Sequence, residues 1–436
     1  MKQQFALAPI FRDNMMFQAN KPIRIFGTCK KGVEITVVFL DEVVKFKSKS
    51  DEFLVEFEPV PVRDKGFSFS LFTKKQEITI YNCLIGDVYL FVGGKNAYMP
   101  LKESYHEVDY EDSEIRFLDM NKVLDKQLKY AFNPQWLIAG KSDLADFSAL
   151  SFLFAKHMHQ VTKSPIGIIT CNHFNASIFS WLGAKEINSH IDMYEYVMKQ
   201  PKELALHSSV FYDTMVSLRA PSSLKAIILY QGEDDFRHPG LYSVALQRIV
   251  QTYRTLFDDQ ALPFIITQIA GGIYPESDGI AISKIRLIQS AMMNDEKMVY
   301  VASAVDLGDE ENNYVKEKMV FAKRLVNVVL EKCDRMTKNA ISPMYYSHNY
   351  RGDEMVIFTH NNYLNLVSHS TKNLGFTYSS DGKNFKEITD IKLVNNQIVL
   401  YGLKNAVEVR YGYLDYPVCD IYTTNELPLL PFRVIV

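Results

Sequence analysis

The chain has 436 residues, 47% of them hydrophobic and 23% charged, with a formal net charge of −3. That length exceeds one ordinary domain and points to two or three, and the composition is that of a folded chain with ample core. So even a charge balance speaks against nucleic acid or an anionic membrane as the main partner, since both require a basic surface.

The N-terminal stretch meets Arg12, Asp13 and Asn14 before a full signal-peptide core forms. No apolar run approaches the ~18 residues needed to span a membrane, so a cytoplasmic location is expected. Cys29, Cys83, Cys171, Cys333 and Cys419 are scattered and form no CxxC pair. Neither a disulfide framework, a zinc site nor a cofactor is predicted. Oligomeric state leaves no trace in the sequence.

Residues 1–81 carry short alternating segments at 23–26, 34–40, 43–46, 53–57, 67–72 and 77–80, separated by turn formers such as Lys30-Lys31-Gly32. This predicts a first, β-rich domain, a small sandwich. Over 82–333 apolar runs alternate with helical periods, which predicts an α/β domain. Its candidate strands are 87–92, 167–171, 225–230, 264–268 and 298–304. Phe147, Leu150, Phe154 and Met158 form a helical stripe after Asp146, a candidate N-cap. A second stripe is Leu246, Ile249, Val250, Tyr253, Leu256 and Phe257; a third is Met319, Ala322, Leu325, Val326 and Val329. Five strands with returning helices predict a doubly wound, mostly parallel sheet. Residues 334–436 read as β-rich again, with a hairpin around Asp381-Gly382.

The stretch 86–100 organises the rest. An apolar strand runs into Gly93-Gly94, where glycine allows a sharp turn, and Lys95 and Asn96 follow. Loops beyond the carboxyl ends of such strands bind ligands, so both residues are expected at the site. Residues 86–101 resemble the first block of the sialate O-acetylesterase family, hydrolases of the SGNH/GDSL type. The resemblance continues through 9–22, 146–156, 165–169, 230–233 and 305–309 to the closing segment near Phe432. It implies an SGNH-like α/β fold and O-acetylated sialic acids as the ancestral substrate class.

In that family the first turn reads Gly-Gln-Ser-Asn-Met, with the serine as nucleophile. Here it reads Gly93-Gly94-Lys95-Asn96-Ala97, so Lys95 stands at the nucleophile's position. The family's Asp-x-His-Pro becomes Asn312-Asn313-Tyr314-Val315, replacing the orienting aspartate by Asn312 and the histidine by Tyr314. A tyrosine of pKa ~10 keeps its proton at neutral pH and is a poor general base. The oxyanion segments change as well. Tyr230-Gln231-Gly232-Glu233-Asp234-Asp235 puts a carboxylate where the family has an asparagine amide, and a carboxylate only accepts hydrogen bonds. His173-Phe174-Asn175-Ala176 replaces Trp-Gly-Gly-Thr, leaving the Asn175 backbone N–H as a donor.

With Gly94, Asn96, Asn175, Glu233 and Asp235 at pocket positions and His173 and Arg286 on its wall, the resemblance implies a pocket without its chemistry. An unpaired ammonium there is costly, so Lys95 is expected to pair with Asp235, or with Asp234. A carboxylate beside Lys95 raises its pKa, which argues against an amine nucleophile. His157 and His159, two apart on a helix, make a poor metal pair. The Ser-x-x-Lys spacings at Ser222/Lys225 and Ser380/Lys383 read as chance. The acidic group Glu233, Asp234, Asp235, Asp306, Asp309, Glu310 and Glu311 leaves a cation site or a carboxylate enzyme open. The leading expectation is a silent family member binding a carbohydrate or a protein partner; the alternative is an active carbohydrate O-acetylesterase with a rearranged site.

Overall fold

The computed structural model describes residues 4–105, 110–121, 134–140, 144–200, 208–217, 221–311, 313–360, 363–370 and 374–436. The chain forms two compact units, one of residues 1–228 with 244–263, the other of 229–243 with 264–436. It is an α/β protein with β-rich parts toward both ends.

In the first unit, β1 (Phe5–Leu7), β3 (Ile23–Cys29) and β6 (Glu52–Phe57) make a three-stranded sheet, after β2 (Met16–Gln18) has joined another. β4 (Glu34–Phe39), β5 (Glu42–Lys47) and β7 (Arg63–Phe72) pair antiparallel and run on to β8 (Glu77–Gly93). Alternation puts phenylalanines on the facing sides. Phe39 of β4 meets Phe57 of β6 with ring centroids 5.0 Å apart, and Phe17 meets Phe39 at 5.3 Å.

The predicted strands 77–80 and 87–92 are one strand. β8 is 17 residues long, with its first part on β7 and its second on neighbours of the α/β sheet. Asn82 absorbs the change of partner in a left-handed conformation, φ 55°, a conformation asparagine tolerates better than most residues. The backbone therefore runs unbroken across Tyr81.

β9 (Asp112–Asp119), β10 (Trp136–Ala139) and β11 (Ile166–Asn172) follow, and β12 (Ala226–Tyr230) begins with the Lys225 N–H bonded to the Val88 carbonyl. β11 pairs parallel with both β8 and β9, while β10 is antiparallel to β9. Around them lie α1 (Lys95–Tyr98), α2 (Ala149–Thr162), α3 (Ala184–Asn188), α4 (Ile191–Lys199) and α5 (Pro239–Leu256). The stripe Phe147, Leu150, Phe154 and Met158 is buried as predicted. Its N-cap is Ser148 rather than Asp146. The Ser148 hydroxyl accepts the Ser151 N–H at 3.3 Å, whereas Asp146 is exposed and pairs with Lys102.

In the second unit β13 (Phe264–Gln268) and β14 (Val299–Ser303) pair parallel, accompanied by α6 (Ala281–Ala291) and α7 (Met319–Lys332). The C-terminal part holds a four-stranded sheet of β15 (Met344–Arg351), β16 (Glu354–His360), β20 (Ile391–Val394) and β21 (Gln397–Leu400). A second is built from β18 (Phe376–Ser379), β19 (Lys386–Glu387), β22 (Glu408–Tyr411) and β24 (Phe432–Ile435), and β17 (Leu366–Ser368) pairs with β23 (Ile421–Thr423). Met355, Ile357, Ile398, Phe376, Tyr411 and Phe432 form their shared core. The predicted hairpin is present: β18 and β19 are antiparallel, and the Asp381 carboxylate accepts the Lys383 and Asn384 N–H groups at 2.8 Å each.

Candidate active site

In the first unit the register sets Gly93 of β8 beside Asn172 of β11, so two parallel strands end at one level. Carboxyl ends of neighbouring parallel strands are where open α/β sheets hold ligands. Gly94 follows with φ −90° and ψ −147°. Neither Gly93 nor Gly94 takes a positive φ. Lys95 opens α1 and is half-buried, while Asn96 is buried.

α1 is only four residues long and is fastened from outside. The fully buried Asn172 donates Nδ2 to the Ala97 carbonyl at 3.0 Å, and the Ser148 hydroxyl donates to the same oxygen at 2.7 Å. Ser148 thus joins the start of α2 to the helix that carries Lys95. Ser148→Ala is expected to lower stability by about 1–2 kcal/mol, the cost of a lost cap and of one of the two hydrogen bonds to the Ala97 carbonyl. Chemical denaturation checks it; an unchanged midpoint would assign the fastening to Asn172 alone.

Beyond β11, the His173 N–H donates to the Gly93 carbonyl at 3.0 Å. The imidazole stacks on Phe211, centroids 4.5 Å apart, and Phe211 packs on Trp181 at 5.0 Å. The Asn175 N–H, left as an oxyanion donor by the sequence, is spent on His173 Nδ1 at 3.3 Å. Phe174 is exposed. Its ring lies 5.4 Å from Lys95 Nζ and edge-on to Tyr98 at 6.5 Å. An ammonium and a phenyl ring thus lie together at the end of β8.

In the second unit the turn after β12 is held by glutamines and a tyrosine. The Gln231 carbonyl accepts Tyr242 Oη at 3.0 Å and Gln289 Nε2 at 2.9 Å. Gly232 sits at φ 132°, and a Cβ there would meet the Gln289, Ile285 and Tyr242 side chains, each at 3.0 Å. Glycine is therefore required on both conformational and steric grounds. Glu233 and Asp235 are buried, Asp234 is exposed, and the Asp235 carboxylate accepts from Gln231 Nε2.

Tyr314 is half-buried, and Asn312 lies outside the described residues. Lys318, four residues beyond Tyr314, is buried, its Nζ 5.8 Å from the Tyr230 ring centroid and 6.0 Å from that of Tyr314. Burial lowers its pKa to about 7, against the opposing pull of Glu233. Lys318 went unnoticed in the sequence although it is in phase with Ala322, Leu325 and Val329, which marks an inward-facing position.

Arg286, expected on the pocket wall, is fully buried instead, its guanidinium bonded to four backbone carbonyls. The acidic residues do not act as one group. Asp306 is held by Arg324 through two bonds of 2.6 and 2.7 Å, and Asp309 accepts the Glu311 N–H at 2.7 Å. Among the described residues no three His, Cys, Asp or Glu side chains converge as a metal site. Imidazoles elsewhere have other work: His159 lies between Asp112, at 3.1 Å, and the Ser164 carbonyl, at 2.7 Å. Lys225 of the Ser222/Lys225 spacing is 3.4 Å from Asp87. Lys95 belongs to the first unit and Asp235 to the second.

Parallel strand ends carrying these motif positions, with β-rich parts toward both termini, define an esterase-type α/β scaffold. The fold is shared with a carbohydrate acetylesterase from Xanthomonas citri, at a TM-score of 0.87 and 19% identity over 99% of each chain. The chain belongs to the carbohydrate esterase family described as sialic acid-specific acetylesterase, which it matches over residues 109–330. Human sialate O-acetylesterase is 22% identical over 373 residues, covering 74% of this chain and 69% of that protein. The rat protein of that name is 20% identical over 506 residues, covering 96% and 92%.

Proposed function

We propose that this chain is a member of the family that does not hydrolyse esters and binds a carbohydrate, O-acetylated sialic acid being the substrate class its relatives suggest. The observation that carries the reading is Lys95 opening the short helix at the end of β8, the position the family resemblance gives to the nucleophile. A protonated ammonium is no acyl acceptor. The Asn175 N–H bonded to His173, and Asp235 in the amide's place, support the same reading. The proposal includes an SGNH-type doubly wound sheet and the division at 1–81, 82–333 and 334–436.

Two assays test it. With p-nitrophenyl acetate and with O-acetylated N-acetylneuraminic acid, no turnover above the buffer rate is expected; robust turnover would instead establish an active esterase with a rearranged site. In thermal melts, millimolar N-acetylneuraminic acid or its O-acetyl ester is expected to raise the midpoint, because a ligand that binds only the folded state stabilises it. Unmoved melts would discard the sugar and leave a protein as the partner.

A further inference from the structure

The outer face of the second C-terminal sheet carries a fixed arrangement of charges. Arg410 of β22 lies opposite Thr377 of β18 on one side and Arg433 of β24 on the other, so the three side chains share a face. Glu408, two residues before Arg410 on β22, is buried and accepts three hydrogen bonds there. They come from Arg410 Nε at 2.6 Å and from Arg433 Nε and Nη2 at 2.6 and 2.9 Å. Among the described residues Glu408 is the one carboxylate paired with either arginine. A single anion therefore stands between two guanidinium groups, and a positive charge is left over.

Arg410 is the more confined of the two, its side chain 16% exposed against 42% for Arg433. Its Cζ lies 3.5 Å from the Phe385 ring centroid and 4.5 Å from that of Tyr413. Ring packing and the bond to Glu408 hold the guanidinium in place, and its two terminal nitrogens donate to none of the described residues. A guanidinium so held loses little freedom on binding, and its terminal nitrogens match the two oxygens of a carboxylate. Thr377 and Tyr413, both half-buried, bring hydroxyls to the surroundings. Leu414, next to Tyr413, and Ile435, opposite Glu408, expose apolar surface.

We propose that Arg410, backed by Arg433, anchors a carboxylate-binding site for an acidic saccharide on this sheet. The carboxylate takes the terminal nitrogens of Arg410, while the sugar's hydroxyls and ring carbons meet the hydroxyl-bearing and apolar side chains around it. A bare anion such as phosphate engages the guanidinium alone. The inference rests on the carbohydrate-binding reading for the choice of sugar only, and none of these residues belongs to the strand-end motifs.

The experiment is NMR of the full chain with labelled arginine side chains, the Arg410 Nε–H signal being identified by its loss in Arg410→Gln, or in Arg410→Lys should the glutamine variant not fold. The probes are N-acetylneuraminic acid at neutral pH, its methyl ester and inorganic phosphate. The acid is expected to move the Arg410 signal saturably, and the ester and phosphate to act at least about tenfold more weakly, the scale of one charge-assisted hydrogen bond. Arg410→Lys keeps the charge without the fork, so the acid should weaken by a similar factor there, read on the Arg433 signal. An Arg410 signal unmoved at millimolar acid, or acid, ester and phosphate acting alike, would overturn the site, as would full binding in Arg410→Lys. The strand-end reading is judged apart, by melts of Arg410→Gln: a midpoint still raised by the acid keeps that reading whatever the Arg410 signal does, and an unmoved one counts against that reading alone.

Discussion

Lys95→Ser, Asp235→Asn, Asn312→Asp and Tyr314→His, made together, are expected to raise p-nitrophenyl acetate hydrolysis at least about 100-fold over the parent chain. Losing a triad member in a serine hydrolase costs roughly 10⁴ in kcat, and the members act as a unit, so each single reversion should gain almost nothing. The first unit adds a condition that motif alignment alone does not supply. Phe174 lies over Lys95, and the Asn175 N–H is bonded to His173. Adding His173→Trp, Phe174→Gly and Asn175→Gly frees that N–H and removes the ring, so activity should rise further. A folded sevenfold variant without gain would show that the strand ends no longer hold these groups in register.

The sequence made the strands of the α/β part legible because they are apolar on both faces, and β13 was placed to the residue. It hid β9. Asp112, Ser113, Glu114 and Arg116 break the apolar run, yet Arg116 is buried, bonded to the carbonyls of Asn82 and Ser113. A charge whose partners are backbone carbonyls, one of them 34 residues away, looks like surface until the fold is known. Lys95 and Tyr314 stand out in the sequence only through the family resemblance. The hydrogen bonds around them were not legible, since the sequence shows neither that Asn175 donates to His173 nor that Gly94 avoids positive φ. The misassignment of Arg286 has the same origin: it sits beside Ile285 and Ile282 on a helix, and only tertiary packing decides whether its guanidinium meets a pocket or a set of carbonyls.

Arg286→Met should be the most destabilising single substitution among those considered, lowering stability by about 3–5 kcal/mol, the range for removing one partner from a buried charged network. The guanidinium donates Nε to the Ile269 carbonyl at 2.8 Å and Nη1 to Leu414 at 2.7 Å; its Nη2 serves Ala270 at 2.6 Å and Asp415 at 2.8 Å. It thereby joins α6 and the loop after β13 to the 414–415 segment. Asp415 closes the circuit by accepting the Ile282 N–H at 2.9 Å near the start of α6. Methionine fills much of the volume but takes these donors from four carbonyls; those of Ala270 and Asp415 keep Tyr274 Oη and the Gly272 N–H, so the loss falls on the Ile269 and Leu414 oxygens, roughly 1–3 kcal/mol each before relaxation. Burial lowers the Arg286 pKa, but guanidinium stays charged in proteins, so no pH dependence near neutrality is expected from it. Arg286→Lys keeps the charge but gathers three donors on one nitrogen, so it should recover only part of the loss. Urea denaturation of the three chains measures this order. A methionine variant within about 1 kcal/mol of the parent would mean that the 269–272 loop and the 414–415 segment are held together by their own backbone bonds, Gly272 N–H to the Asp415 carbonyl among them.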